Sequence, residues 1–405
     1  MPAKRIIFFT HNAVSTAHEQ LRVISPLKYA GIEIIQGIQG NSINVDRIRD
    51  AQLVLFQRDF SRKFSEFQTV IQHAHMAGIP VVLDLDDHLL ALPPDHPDRR
   101  SHVFAGSLVA LLCAILEVDA ITVTSPVLEE VLKPYNPNVY VLPNYLDADI
   151  WKFRNPEMAE ESDSVRILFM GTPTHKPDLD LISDVLTTIV EKYRERVSFV
   201  FCGINPPEKL ARFEKTQYIP MGINDYRLFA NKMQDVEADI AIAPLVDNLF
   251  NRCKSSIKYL EYSAIGLPGV YSNIDPYSAI INNGEEGFLV ENHDEWIEKI
   301  SFLVENSTRR KEMAQRAQKQ VLNDWMIEDH ASAWKVAYDQ ITSKTKQAHS
   351  AITESYGMVL NSIAMQLEED EIRFQSLEDL RRIVSMQNHE MDDLQKVNQN
   401  LSKEL

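Results

Sequence analysis

Short apolar runs recur along the first 290 residues, separated by stretches whose apolar positions repeat at helical spacing. Ile6 to Thr10, Ile32 to Ile35, Leu53 to Phe56, Pro80 to Leu83, Ala120 to Val123 and Val139 to Leu142 read as strands. Thr16 to Tyr29, Arg62 to Met76, Phe104 to Glu117 and Val127 to Leu132 read as the helices between them. Unbroken apolar strands alternating with amphipathic helices predict βαβ units, because a parallel sheet is covered on both faces. The segment Asp149 to Asp163 is polar and reads as a linker. At Val165 the rhythm restarts, with strands over Arg166 to Met170, Ser198 to Phe201, Gln217 to Ile219, Ile240 to Ala243, Gly269 to Ser272 and Phe288 to Val290. Helices fit Asp178 to Tyr193, Tyr226 to Asp235, Ser255 to Ala264 and Asp294 to Glu305. The chain therefore reads as α/β: two facing, doubly wound, Rossmann-like domains over 1–155 and 160–325. A helical return segment over 326–346 and a helical tail over 347–405 follow, with no Pro beyond Pro276 to break them.

Composition narrows the function classes. Of 405 residues, 41 are Lys or Arg and 58 are Asp or Glu, so the net charge of −17 argues against a broad nucleic-acid footprint. Cys113, Cys202 and Cys253 are too scattered for a disulfide framework or a structural zinc site, which suits a reducing compartment. The longest apolar run, Leu108 to Leu116, is too short to cross a bilayer, and MPAKRIIFFTHN lacks the features of a signal peptide. The expected location is the cytoplasm, with membrane contact at most peripheral, at the inner face.

Two such domains predict a ligand in the cleft between their carboxyl strand ends. The most informative stretch there is NRCKSSIKYLEYSAIGLPGVYS, residues 251 to 272. Ser255 and Ser256 are capping residues and Gly266 with Pro268 ends the helix. Lys254, Lys258 and Glu261, at i, i+4 and i+7, share one side of the segment. A helix N-terminus at a strand end is a phosphate site, Lys254 adds charge, and a Glu farther along accepts ribose hydroxyls. The spacing alone more readily describes a solvated helix with a Lys258–Glu261 ion pair, since such pairs are common on exposed helices.

Lys258-x-x-Glu261-x-x-Ala264-x-Gly266-x-Pro268, with Asn283-Gly284-Glu285-Glu286-Gly287-Phe288-Leu289-Val290 beyond it, resembles the nucleotide half of retaining glycosyltransferase family four, whose fold is GT-B. Leu142-Pro143-Asn144-Tyr145-Leu146-Asp147 resembles that family's turn before the interdomain linker, and Phe169-Met170-Gly171-Thr172 its first strand and glycine turn. The resemblance implies that Glu261 holds the nucleotide ribose, that Gly171 and Thr172 lie against the donor, and that Lys176 stands near the family's phosphate-binding Lys. Two positions depart from the pattern. Cys253 stands where the first Glu of the family's E-x7-E motif falls, and Asn273-Ile274-Asp275-Pro276-Tyr277-Ser278-Ala279 replaces a Gly-Gly-x-x-Glu loop.

In the first domain, His11 and Asn12 follow the first strand at the cleft, where capping by Ser15 is the alternative to acceptor contact. Asp84-Leu85-Asp86-Asp87-His88 ends the fourth strand. It is open to four readings: a D-x-D metal site, an acceptor-side polar cluster, a general base in Asp87 or His88, or a loop cap. PPDHPDRR reads as a cleft-side loop too Pro-rich for a helix, with contact of Arg99 and Arg100 to an anionic acceptor or a simply solvated loop as the two readings.

The resemblance implies transfer of a sugar, with retention, from a nucleotide-diphosphate sugar to an acceptor hydroxyl. The acceptor is a glycan or a lipid-linked glycan, as in surface glycan assembly. Lys258, Asp87 and His88 are the catalytic candidates, and no cofactor or metal is expected. A nucleotide-sugar 2-epimerase and a degenerate binding or scaffold module are the rival readings. In the tail, Leu377, Val384, Met391, Asn398 and Leu405 recur every seven residues, with Leu380, Gln387, Leu394 and Leu401 three later. These a and d positions predict a two-stranded coiled coil over 377–405 and hence a homodimer; the repeat is still running at Leu405.

Overall fold

The computed structural model describes residues 4–40, 42–158, 164–344 and 357–370, and beyond them 372–373, 375–376, 378–379, 381–382 and 385. The predicted coiled-coil positions Leu377, Leu380, Val384, Gln387, Met391, Leu394, Asn398, Leu401 and Leu405 lie outside the described residues.

The first sheet contains β1 (Arg5–Phe9), β2 (Glu33–Gln36), β3 (Leu53–Gln57), β4 (Val81–Leu85), β5 (Ala120–Val123) and β6 (Val139–Val141). The second contains β7 (Val165–Met170), β8 (Val197–Cys202), β9 (Thr216–Ile219), β10 (Ile240–Ala243), β11 (Gly269–Ser272) and β12 (Phe288–Val290). All pairs in these two sheets are parallel, in the orders β2-β1-β3-β4-β5-β6 and β9-β8-β7-β10-β11-β12. Each order reverses once, between β1 and β3 and between β7 and β10. At such a switch the crossover helices diverge to opposite faces and leave a crevice at the carboxyl ends.

The principal helices are α1 (Phe64–Met76), α2 (Leu108–Glu117) and α3 (Pro126–Leu132) in the first domain. The second has α4 (Ser183–Tyr193), α5 (Tyr226–Gln234), α6 (Ile257–Ala264) and α7 (His293–Glu305). Residues 17–29 are helical throughout, with a π-helical turn over Gln20–Ile24. The helix expected over Asp178 to Tyr193 is interrupted at Ile182. Sequence also misreads PPDHPDRR as wholly irregular. Pro97–Arg100 forms a helical turn, since a proline at the first helical position forfeits no hydrogen bond, and the His96 ring accepts from the Asp98 N–H at 3.2 Å.

The chain crosses between the domains twice. The linker after Asp147 runs along the end of α6, where Arg154 donates from its backbone to Ala264 O at 2.9 Å and from Nε to Ile265 O at 2.7 Å. Gly266 (φ +76°) is required there by its left-handed backbone and because a Cβ would stand 2.9 Å from Arg154 O. On the return, α8 (Ser307–Asp324) buries Ala317 and Val321 in the second domain. The last helix of the return, α9 (Ser332–Ser343), buries Trp334, Tyr338 and Ile341 in the first. The helix at 357–370 then rests on the first domain, not the second: Ala364 is buried in its core and Glu368 accepts from Ser65 N (2.9 Å) and Oγ (3.1 Å) at the start of α1. Among the described residues no helix is long and apolar enough to cross a membrane.

Candidate functional site

A cleft of about 580 Å³ lies between the two domains at the carboxyl ends of both sheets. From the second domain it is lined by Gly171 and Thr172 after β7, His175, Tyr226, and the stretch carrying Lys254, Ser255, Lys258 and Glu261. From the first domain it receives His18, Arg58, Asp86, Asp87, His96 and Asn144.

Lys258 and Glu261, one turn apart on α6, and Lys254, on the non-helical segment before it, all reach this one space. Lys258 makes no ion pair within 4 Å among the described residues; its ammonium lies over the Phe169 ring, 5.3 Å from the centroid. Burial first, and then Lys254, bring its pKa down to about 7, against the opposing pull of Asp178 and Glu261. Glu261 is buried and accepts from Tyr226 Oη at 2.9 Å, while Tyr226 Oη accepts from Trp151 Nε1 at 3.0 Å. Burial raises the Glu261 carboxyl to about 7, although Tyr226 and Lys258 both favour its anion. A cation and an acid each held near neutrality in one cleft mark a functional site more often than a structural one.

Neither serine caps α6 with its side chain. Ser255 instead accepts from Asn144 Nδ2 across the domain boundary at 3.0 Å, and Ser256 is buried away from the cleft. Cys253 is fully buried among first-domain core residues, its carbonyl accepting from Ser125 Oγ at 2.8 Å. Burial pushes its thiol up to about 12. A carboxylate at this position would sit in the contact between domains, so the departure at Cys253 exchanges a polar group for packing. Lys176 points away from the cleft onto Asp180 (2.7 Å). Its neighbour His175 faces in, with Nδ1 2.8 Å from Asp178 Oδ2.

On the first-domain wall, Arg58 Nη1 meets Asp86 (2.8 Å) and Asp87 (3.2 Å), and His18 Nδ1 meets Asp86 Oδ2 at 2.5 Å. Asp86 raises the His18 pKa more than burial lowers it, and Arg58 and His18 together hold the Asp86 carboxyl well below its usual range against burial. Behind this layer, buried Arg22 binds Asp84 through Nε (3.0 Å) and Nη2 (2.9 Å) and reaches Asn144 Oδ1 (3.1 Å). The network fixes the carboxyl end of β4 against the loop that bridges to Ser255.

The remaining predicted residues surround the cleft without lining it. His88 is buried beside it, its pKa lowered by burial. His11 Nε2 pairs with Glu66 at 2.9 Å, Asn12 donates to Asp59 at 3.2 Å, and Arg99 donates to Leu92 O at 2.6 Å. Sequence reasoning overlooked His18, Arg58, His175, Asp178 and Tyr226. Only the H-x-x-D spacing of His175 and Asp178, one helical turn apart after a strand, was available as a signal.

Residues 164–306 match the protein family described as Glycosyl transferases group 1. No curated protein sequence matches the chain. Among solved structures, sucrose-phosphate synthase from Thermosynechococcus elongatus superposes with a TM-score of 0.60 at 12% identity, covering 84% of this chain and 99% of that one. Anabaena HepE in complex with UDP and glucose gives 0.58 at 12% identity, covering 83% and 100%. A point mutant of S. aureus TarM, in complex with Fondaparinux, alpha-GlcNAc-glycerol and UDP, gives 0.52 at 12%, covering 71% of this chain. The chain spans only 55% of TarM's length. The fold is that of GT-B glycosyltransferases.

Proposed function

We propose that the protein is a glycosyltransferase that moves a sugar from a nucleoside-diphosphate sugar to an acceptor hydroxyl with retention. The observation that carries this reading is the convergence of Lys254, Lys258 and Glu261, in a domain resembling Glycosyl transferases group 1, on the interdomain cleft. Glu261, oriented by Tyr226, accepts the ribose hydroxyls. Lys258, Lys254 and the N-terminus of α6 face the diphosphate and gain most when its charge grows. The bond from the anomeric carbon to the diphosphate oxygen breaks, its electron pair staying with the diphosphate. The acceptor oxygen bonds to the same face of that carbon, and its proton leaves with the departing phosphate. Asp86 and Asp87 orient the acceptor from the opposite wall, with His88 packed behind them. The lysines take the role of a metal, so chelation is expected to leave turnover unchanged. HepE, crystallised with UDP and glucose, makes UDP-glucose the first donor to try. TarM's bound alpha-GlcNAc-glycerol favours a glycan-type acceptor, in keeping with surface glycan assembly. Two copies join through the coiled-coil tail.

The test is incubation with UDP-, GDP- and dTDP-sugars and a panel of glycan acceptors, read by nucleotide release and by the anomeric configuration of the product. Transfer with retained configuration supports the reading. An inverted product removes retention, a C2-epimerised donor makes the protein an epimerase, and nucleotide binding without turnover makes it a binding module.

A further inference from the structure

The His175–Asp178 pair is unused by that scheme, yet it is built into the cleft wall. Gly171 makes room for the ring, since a Cβ there would stand 3.2 Å from His175 Cβ and Cδ2. Asp178 is buried, and its second oxygen accepts from Val246 N and Asn251 Nδ2, both at 2.9 Å. Those donors keep it ionised even though burial opposes charge, and His175 and Lys254 hold its pKa low. An ionised Asp178 at Nδ1 selects the Nδ1–H tautomer, so the neutral ring presents a bare Nε2.

The charged groups around this ring come from several elements. Lys258 lies on α6 beside Glu261, Lys254 lies on the segment before α6, and His96 and Asp98 lie on the first-domain turn opposite. Lys176 is turned to Asp180. Without nucleotide, burial and then Lys258 and Lys254 bring the His175 pKa down to about 3, more than Asp178 raises it. A diphosphate set against the two lysines cancels the positive field that disfavours imidazolium. Burial still opposes charge on the ring, but the diphosphate itself and Asp178 are then two anions beside it.

We propose that His175 is a proton-coupled diphosphate ligand: neutral in the nucleotide-free cleft, it takes one proton from solvent as a nucleoside-diphosphate sugar binds, and donates Nε2–H to a phosphate oxygen. The proton returns to solvent when the nucleotide leaves. The proposal rests on the nucleotide-sugar reading above and adds to it a third positive group that exists only while the donor is present.

The test is calorimetric titration of the full chain with UDP-glucose at pH 6.5, in buffers of different ionisation enthalpy, beside His175→Gln. The parent is expected to take up about 0.5–1 proton per site more than His175→Gln. Lys258, Glu261 and His96 contribute alike to both proteins and cancel in this difference. Affinity is expected to fall roughly 10- to 100-fold in the variant, the range for a hydrogen bond to a charged group. Since the variant alters a packed residue, ¹⁵N-histidine spectra of the parent give an independent readout: Nε2 moves from an acceptor to an imidazolium shift on saturation with UDP-glucose. Equal proton uptake in both proteins, or a ring that stays neutral when saturated, overturns the proposal while leaving the nucleotide site standing. If UDP-glucose, GDP-mannose and dTDP-glucose all fail to bind the parent, the nucleotide-sugar reading falls, and this inference with it.

Discussion

Lys258 is costly to fold. Its ammonium is held at about 7 instead of the usual 10.5, so below pH 7 the native state carries a desolvated charge that the unfolded chain solvates freely. Between pH 7 and 10.5 the unfolded chain binds more protons than the native one, so this group's contribution makes stability rise with pH across that window. Lys258→Met is therefore expected to stabilise the ligand-free protein by about 1–3 kcal/mol at pH 6.5, an advantage that fades toward pH 10.5, while turnover collapses. Thermal denaturation at both pH values checks the first part; an unchanged or lowered melting temperature at pH 6.5 counts against it. Glu261→Ala is expected to weaken nucleotide binding by ~1–3 kcal/mol, measured by calorimetry against the parent. At this scale the sequence was partly legible. Spacing put Lys258 and Glu261 on one face because a helix fixes that relation; Lys254 joins them from the non-helical segment before α6, which the helical period does not describe. His175 and Lys176 could not be ranked in the same way. Adjacent residues on a helical turn point about 100° apart, and the direction of each depends on where Gly171 releases the chain.

The secondary-structure pattern was legible for the strands of the two parallel sheets, because sheets buried on both faces write unbroken apolar runs, but not for the short antiparallel pair Ile38–Gln39 and Ser42–Ile43, which has no such run. It was less so where packing between domains decides local structure. The short helix Leu249–Arg252, N-capped by Asn248, has no periodic stripe of its own. Its Phe250 serves the other domain: nearly buried, the ring packs edge-on to His96 with centroids 5.2 Å apart and joins the first-domain core. This segment holds the cleft closed from one side, with the Asn144–Ser255 and Ser125–Cys253 hydrogen bonds beside it. Phe250→Ala is expected to cost about 2–4 kcal/mol in chemical denaturation and to raise KM for the donor more than it lowers kcat. The loss falls on the contact between domains and on Lys254, whose ammonium lies 4.7 Å from the Phe250 ring centroid, both of which act on donor binding. A variant with unaltered denaturation midpoint and KM would show that the segment does not clamp the domains.

At the scale of the whole molecule, the proposed dimer gives the tail a second job beside the contact it makes with the first domain. The stretch 357–370 belongs to the first domain through Ala364 and through Glu368, which satisfies the free N–H of Ser65 at the start of α1. Its other side leaves Met358, Val359 and Ile363 exposed to different degrees, and Val359 and Ile363 continue the d and a series of residues 377–405 backward by three and two heptads. Asp370 and Arg373 interrupt that series, so the seam is expected to close only from Leu377 onward. The charged residues between the two series, with Asn398 at an a position, favour a two-stranded seam over a helix laid on a domain surface. Light scattering is therefore expected to give twice the chain mass for the full chain and a monomer for a chain ending near Lys346. The shortened chain should also lose stability, because Leu360 and Ala364 no longer cover the first-domain core. Leu380→Asp with Leu394→Asp separates the two jobs: it should give a monomer while retaining the contact of residues 357–370 and the stability of the parent. A dimer that survives both the truncation and the double substitution would place the interface on the globular domains instead.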